Sequence, residues 1–245
     1  MGTGSSLETR ERQLQYLQAM GIQAWDLRNP AVEPPAAEQH LAEAAGMAAL
    51  PGEAAIPASG YDWETLQTTV EACTLCGLHS SRTQTVFGVG SRCADWLLIG
   101  EAPGRDEDQQ GEPFVGRAGQ LLNAMLQAVG LHREQVYIAN ILKCRPPNNR
   151  DPVSQEVACC EPYLMRQIEL IKPRLIVALG RIAAQNLLNT ETPIGKLRGR
   201  THQFRDTGIP LIATYHPAYL LRSPLEKRKA WEDLQLAVAT LREQL

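Results

Sequence analysis

Two cysteines stand two residues apart in CTLC at 73–76, and Cys93, Cys144, Cys159 and Cys160 follow along the chain. A C-x-x-C pair suits a redox dithiol, half of a zinc site or half of an iron–sulfur site. The dithiol reading is disfavoured, since the pair lies ahead of the first strand-like run and has remote cysteine partners. Four thiolates suit zinc as well as an iron–sulfur cluster. A second set carries acid–base and hydrogen-bonding chemistry: the loop GEAPGRDEDQQGEPFVG (100–116) with Glu101, Glu107 and Phe114, then Asn140, then His216 ahead of Pro217. An Asn amide presents one donor and one acceptor side by side, which complements a nucleobase edge. A loop aromatic serves as a lid on the core or as a stacking platform for a flat ligand. A histidine at a strand end donates to a developing oxyanion or caps the next helix. Each residue alone has a bland reading as a turn, a cap or a polar loop, so their convergence on one place is what matters.

Apolar periodicity brings them together. WLLIG (96–100), VYIAN (136–140), RLIVALG (174–180) and PLIATYH (210–216) read as buried strands. Helical patterns GRAGQLLNAMLQAVG, VSQEVACCEPYLMRQIELI, RIAAQNLLN and EKRKAWEDLQLAVATLREQL alternate with them. Four such strands predict a three-layer α/β/α fold around a central four-stranded parallel sheet. Ligands bind beyond the carboxyl ends of such strands, and Glu101, Asn140, Arg181 and His216 all fall there.

Three regions are expected: an amphipathic segment at 1–28, an Ala/Pro-rich linker at 29–60 and one domain at 61–245. The net charge of −3 announces no nucleic-acid partner. Residues 1–60 hold only 3 of the basic and 7 of the acidic side chains, however, which leaves room for a basic groove in the domain. No apolar run is long enough to cross a bilayer, and MGTGSSLETRERQ lacks the order of a secretory signal. The chain therefore reads as cytoplasmic, where thiols stay reduced or bind metal.

GEAPG (100–104), PFVGRAGQLLN (113–123), NILKCRPPNNR (140–150) and HPAYLLR (216–222) together resemble the family 4, iron–sulfur type of uracil-DNA glycosylases, in the expected order over residues 61–245. The resemblance implies a [4Fe–4S] cluster on Cys73, Cys76, Cys144 and Cys160. Neighbouring helical residues point ~100° apart, so only one of Cys159 and Cys160 is expected to face the cluster, and the family spacing selects Cys160. Cys93 is left as an inert thiol.

The resemblance further implies that uracil is flipped out of single- or double-stranded DNA and cut from its sugar, leaving an abasic site that starts base excision repair. Phe114 would stack on the base, the Asn140 amide would pair with its N3–H/O4 edge, and Ala102 and Pro103 would shape the pocket wall. His216 would donate to O2, and Glu101 would orient or deprotonate the attacking water with Glu107 as a helper. Leu220 and Leu221 would wedge into the base stack, while Arg222, Lys143 and Arg145 would meet DNA. Glu101 argues against family 5, which carries another residue there, and RPPNNRDPVSQ has no histidine with which to trap DNA covalently. A non-catalytic replisome or damage-binding protein on the same scaffold is the rival, opposed by retention of Glu101, Asn140 and His216. A monomer is implied.

RERQLQYLQAMGIQAWDLRNP, centred on MGIQAWDLR, resembles the amino-terminal peptide of the psi subunit of the bacterial replicative polymerase. It implies that residues 10–30 dock on the chi subunit through Ile22 and Trp25, placing a bacterial protein at the nucleoid.

Overall fold

The computed structural model describes Ala58 and residues 60–244. The segment at 1–28 and nearly all of the linker at 29–60 lie outside the described residues. The first helix, α1 (Trp63–Glu71), starts where the Asp62 carboxylate accepts the Thr65 N–H at 2.8 Å. It buries Trp63, Leu66 and Val70, one face of a 3.6-residue period.

The four apolar runs become β2 (Trp96–Gly100), β3 (Tyr137–Asn140), β4 (Leu175–Leu179) and β6 (Ile209–Thr214), parallel to one another. Two strands at the edges were not legible: β1 (Val89–Gly90) pairs antiparallel with β3, and β5 (Thr201–Phe204) pairs antiparallel with β6. The sheet therefore has six strands, in the order β1-β3-β2-β4-β6-β5, around the expected parallel four. β1 is too short to show a period, and of THQF in β5 only Phe204 is buried.

Both faces of the sheet are covered. Leu97, Ile99, Ile176 and Ala178 belong to a core that includes α1 residues, Tyr163 and Leu164 of α4 (Ser154–Ile171), and Ala183 and Leu187 of α5 (Arg181–Leu188). Trp96, Leu98, Val177 and Ile212 pack on the other side with Leu122 and Leu126 of α3 (Arg117–Ala128) and Leu234 and Ala237 of α8 (Lys227–Arg242). These are the three layers. Shorter helices, α2 (Arg105–Gln110), α6 (Ile194–Leu197) and α7 (Pro217–Arg222), decorate the loops. Among the described residues no helix is long and apolar enough to cross a membrane.

Asp233 of α8, fully buried, locks the carboxyl end of β6. Its carboxylate accepts the Thr214 hydroxyl at 2.8 Å, Arg198 Nε at 3.0 Å and the Gly199 N–H at 3.0 Å. Removing one partner of a buried ion pair strands the other. Asp233→Ala should therefore cost ~3 kcal/mol or more in urea unfolding. An unchanged midpoint would refute this lock.

Candidate active site

Strand register assembles the site. Gly100 of β2 pairs with Asn140 of β3, and the ladder continues past them through Ile141 N–H to Gly100 C=O (2.9 Å) and Leu142 N–H to Glu101 C=O (3.0 Å). The Gly180 N–H donates to Thr214 C=O at 2.8 Å, bringing the turn after β4 beside the end of β6, two residues short of His216. A cleft of about 420 Å³ opens over these ends, lined by Glu101, Ala102, Pro103, Glu107, Phe114, Asn140 and His216. A larger groove of about 640 Å³, beside α1 and the 82–92 segment, contains none of them.

Asn140 is 2% exposed, and its Oδ1 is buried without a hydrogen-bond partner among the described residues. An unpaired buried acceptor costs ~1–3 kcal/mol, so this atom awaits a donor. A Cβ on Gly100 would overlap that oxygen and come within 2.8 Å of Phe114 Cζ. Glycine thus keeps open the space between the amide and the aromatic ring.

Phe114 has φ of 55°, a strained value for a bulky residue, and such strain persists where surroundings over-determine it. Glu107 Oε1 accepts the Val115 and Gly116 N–H groups at 3.1 and 3.4 Å, while Oε2 accepts that of Gly104 at 3.1 Å. From the other side Arg133 donates to the carbonyls of Phe114 (3.3 Å) and Pro113. Arg133 was missed because its only sequence signal is a charge in a loop. The catalytic reading of Glu107 is accordingly corrected: both of its oxygens hold backbone amides, so it positions the Phe114 loop.

The Phe114 ring lies 5.4 Å from the His216 ring at 29°, close to parallel. His216 Nδ1 accepts the Ala218 N–H at 3.1 Å, which leaves the proton on Nε2 as a free donor. Burial, with Arg222 adding to it, lowers the imidazole to about 4, so it is neutral at physiological pH. The same cause acts oppositely on Glu101. Burial first, then the Asp151 carboxylate, raise it to about 7 against the pull of Arg181. Asp151 lines the cleft and pairs with Arg181 at 2.7 Å, a contact that sequence reading did not supply.

Two DNA-contact expectations fail on burial. Lys143 is 1% exposed, its ammonium held inside the fold, and Leu220 is likewise 1% exposed on the inner side of α7. Neither can meet a phosphate or a base stack. Leu221 is half-buried, and Arg222 is exposed and lines the cleft. Arg145, half-buried, donates to Asn149 Oδ1 at 2.7 Å within its own loop. The apolar side chain that stands clear nearby is Leu225, 92% exposed in the turn Pro224–Glu226.

Cys73, Cys76, Cys144, Cys159 and Cys160 line one small cavity, all as free thiols, while Cys93 is exposed elsewhere. Contrary to expectation, both neighbours on α4 border it, but they differ. Cys160 is buried, whereas the half-buried Cys159 thiol is spent on the Leu75 carbonyl at 3.4 Å. Burial raises the Cys76, Cys144 and Cys159 thiols and pushes Cys160 up to about 12. Metal coordination reverses that preference by deprotonating the thiol. Arg82 Nη1 donates to Cys144 Sγ at 3.1 Å, and Lys143 is among the residues that line the same cavity. A guanidinium turned toward sulfur fits a thiolate-bound, anionic group. Among the described residues no three His, Cys, Asp or Glu side chains form a set for a single metal ion.

The profile described as the Uracil DNA glycosylase superfamily matches residues 87–235. The chain belongs to this superfamily. Its relatives include the type-4 uracil-DNA glycosylase of Archaeoglobus fulgidus, 52% identical over 67% of this chain and 85% of the relative. Those of Thermotoga maritima and Pyrobaculum aerophilum are each 42% identical, over 74% and 71% of this chain and 95% and 92% of theirs. The match runs from Phe87 to α8 and so spans the whole superfamily cleft, together with the cavity-lining Cys144, Cys159 and Cys160.

If Glu101 acts as a base it must be ionised, so kcat/KM should rise roughly tenfold per pH unit up to about 7 and level off above. His216, neutral throughout, should add no limb in this range. Rates on a uracil oligonucleotide across buffers would check this, and a profile flat down to pH ~5 would exclude Glu101 as the base.

Proposed function

We propose that this chain is a uracil-DNA glycosylase that hydrolyses the bond between uracil and deoxyribose. The observation that carries the reading is the orphaned Oδ1 of Asn140, buried across Gly100 from the Phe114 ring. Uracil brings an N3–H donor to that acceptor and a carbonyl to the amide N–H₂. Cytosine brings an acceptor and an amine, which leaves both mismatched, and such mismatch discriminates strongly. Bases are reached by flipping them out of the stack, at a cost of a few kcal/mol.

As the C1′–N1 bond breaks, its electron pair leaves with the base, positive charge grows on the sugar and negative charge on O2. The Nε2–H of neutral His216 stabilises that oxygen without itself giving up a charge. Glu101, ionised, accepts a proton from the water whose oxygen bonds C1′. Ala102 and Pro103 form the wall beside the base. Arg222 serves the phosphates, and the wedge role passes from Leu220 to the exposed Leu225, with Leu221 beside it.

Cys73, Cys76, Cys144 and Cys160 would hold the [4Fe–4S] cluster, with Cys159 left to Leu75. When bound, that group supplies an anionic crosslink between the 73–76 segment, the loop after β3 and α4, not chemistry at the sugar.

Labelled oligonucleotides carrying one uracil, treated with enzyme and then alkali, test the reading. Wild type should cut at uracil and spare cytosine. Glu101→Ala should lose about 10²–10⁴-fold and His216→Ala about 10²–10³-fold in kcat. An inactive wild type would favour the scaffold-protein rival.

MGIQAWDLR supports a second element of the reading: residues 10–30 tether the enzyme to the chi subunit of the replicative polymerase at the nucleoid. Purified chi should be retained by immobilised full-length protein and released by Trp25→Ala. Equal retention by both, or retention by neither, would sink the tether.

A further inference from the structure

The short helix α7, which begins directly after His216, has one side turned in and one turned out. Pro217 and Leu220 are buried, while Tyr219 and Arg222, three residues apart and so on one face, are exposed and line the cleft. Among the described residues the large hydrophobic side chains that stand exposed are Val153, Tyr219, Leu225 and Trp231. Of these, Tyr219 is the one that borders the cleft, at 36% exposure.

Its ring is braced. It packs at 5.0 Å and 40° on the ring of Tyr215, which is half-buried. The Arg198 guanidinium lies 5.8 Å from the centre of the Tyr215 ring, within cation–π reach, and Arg198 Nε is fixed to the buried Asp233 carboxylate at 3.0 Å. The row Arg198, Tyr215, Tyr219 therefore ties an exposed aromatic to the lock at the end of β6. A ring held in this way gives up little freedom when a flat ligand lies on it.

The cleft thus has aromatic groups at two depths. Phe114, 6% exposed, lies beside His216, and Tyr219 stands three residues beyond that histidine, about 4.5 Å of helical rise. When uracil leaves the strand for the inner ring, the bases flanking it lose a stacking neighbour. In a single strand these bases are also unpaired, so a base face is available to a protein ring, and every base offers one whatever the sequence. In a duplex the flanking bases stay held by their own pairs.

We propose that Tyr219 is the stacking platform for the nucleobase next to the uracil, and that it favours uracil in single-stranded DNA. This rests on the glycosylase reading of the cleft. Tyr219 meets neither the uracil nor the breaking C1′–N1 bond, so it is a binding residue and acts on KM.

Full-length protein is assayed on labelled oligonucleotides with one uracil, single-stranded or duplex, whose neighbours are ordinary nucleotides or alkali-stable tetrahydrofuran abasic analogues. Wild type must first cut the ordinary strands at uracil; failure there would overturn the glycosylase reading, and this proposal with it. On the single strand, removing the neighbours should raise the wild-type KM about tenfold, the scale of one base stacked on an aromatic side chain, and leave kcat nearly unchanged. Tyr219→Leu, which keeps bulk over Tyr215 but has no π face, should raise KM about tenfold on the ordinary strand, and the two losses should not add. Tyr219→Phe should restore the wild-type KM. On the duplex the loss in Tyr219→Leu should be several-fold smaller. A wild type indifferent to missing neighbours would overturn the proposal whatever the variants do. So would equal KM losses for Tyr219→Leu with and without neighbours, the mark of a merely structural role, or a loss confined to the duplex, which would make Tyr219 a wedge between base pairs.

Discussion

Gly100 and Asn140 lie side by side at the carboxyl ends of two parallel strands, and one of them must lack a side chain. Any Cβ on Gly100 would overlap the Asn140 carboxamide and crowd the Phe114 ring. The open slot between an amide edge and an aromatic face is thus a property of strand register combined with one missing methyl group. Phe114 is held at φ of 55° to complete that slot, through amides bonded to Glu107 and carbonyls bonded to Arg133. Pre-organisation of this kind avoids reorganisation when the base arrives.

One physical cause, burial, sets two titratable groups of the cleft apart. It raises the Glu101 carboxyl to about 7 and lowers the His216 imidazole to about 4. Each is displaced toward its neutral form, because low dielectric penalises either sign of charge. The outcome is a carboxyl group that titrates near neutral pH and a neutral imidazole in one cleft, the separation that paired titratable groups reach when their environments differ. Asp151 and Arg181, ion-paired at the cleft rim, act on Glu101 in opposite directions.

The loop after β3 serves two sites at once. Asn140 ends the strand in the cleft, Lys143 turns inward and Cys144 enters the sulfur-lined cavity, all within five residues. So short a span of packed backbone leaves little slack between the two sites.

The parallel core and its covering helices were legible because continuous apolar runs alternating with amphipathic stretches have few other ways to bury their surface. Glu101, Asn140 and His216 were legible as a group because each follows or ends such a run, and strand ends of a parallel sheet converge. Direction and depth were not legible. Lys143 reads as a DNA contact in KCRPP and Leu220 as a wedge in AYLLR, yet both point inward, and Glu107 spends its carboxylate on the backbone. Sequence spacing therefore determined which residues share an edge of the sheet. Only the tertiary structure decided which face water, which face one another and which are sealed away, since burial of a single side chain depends on neighbours far off in sequence.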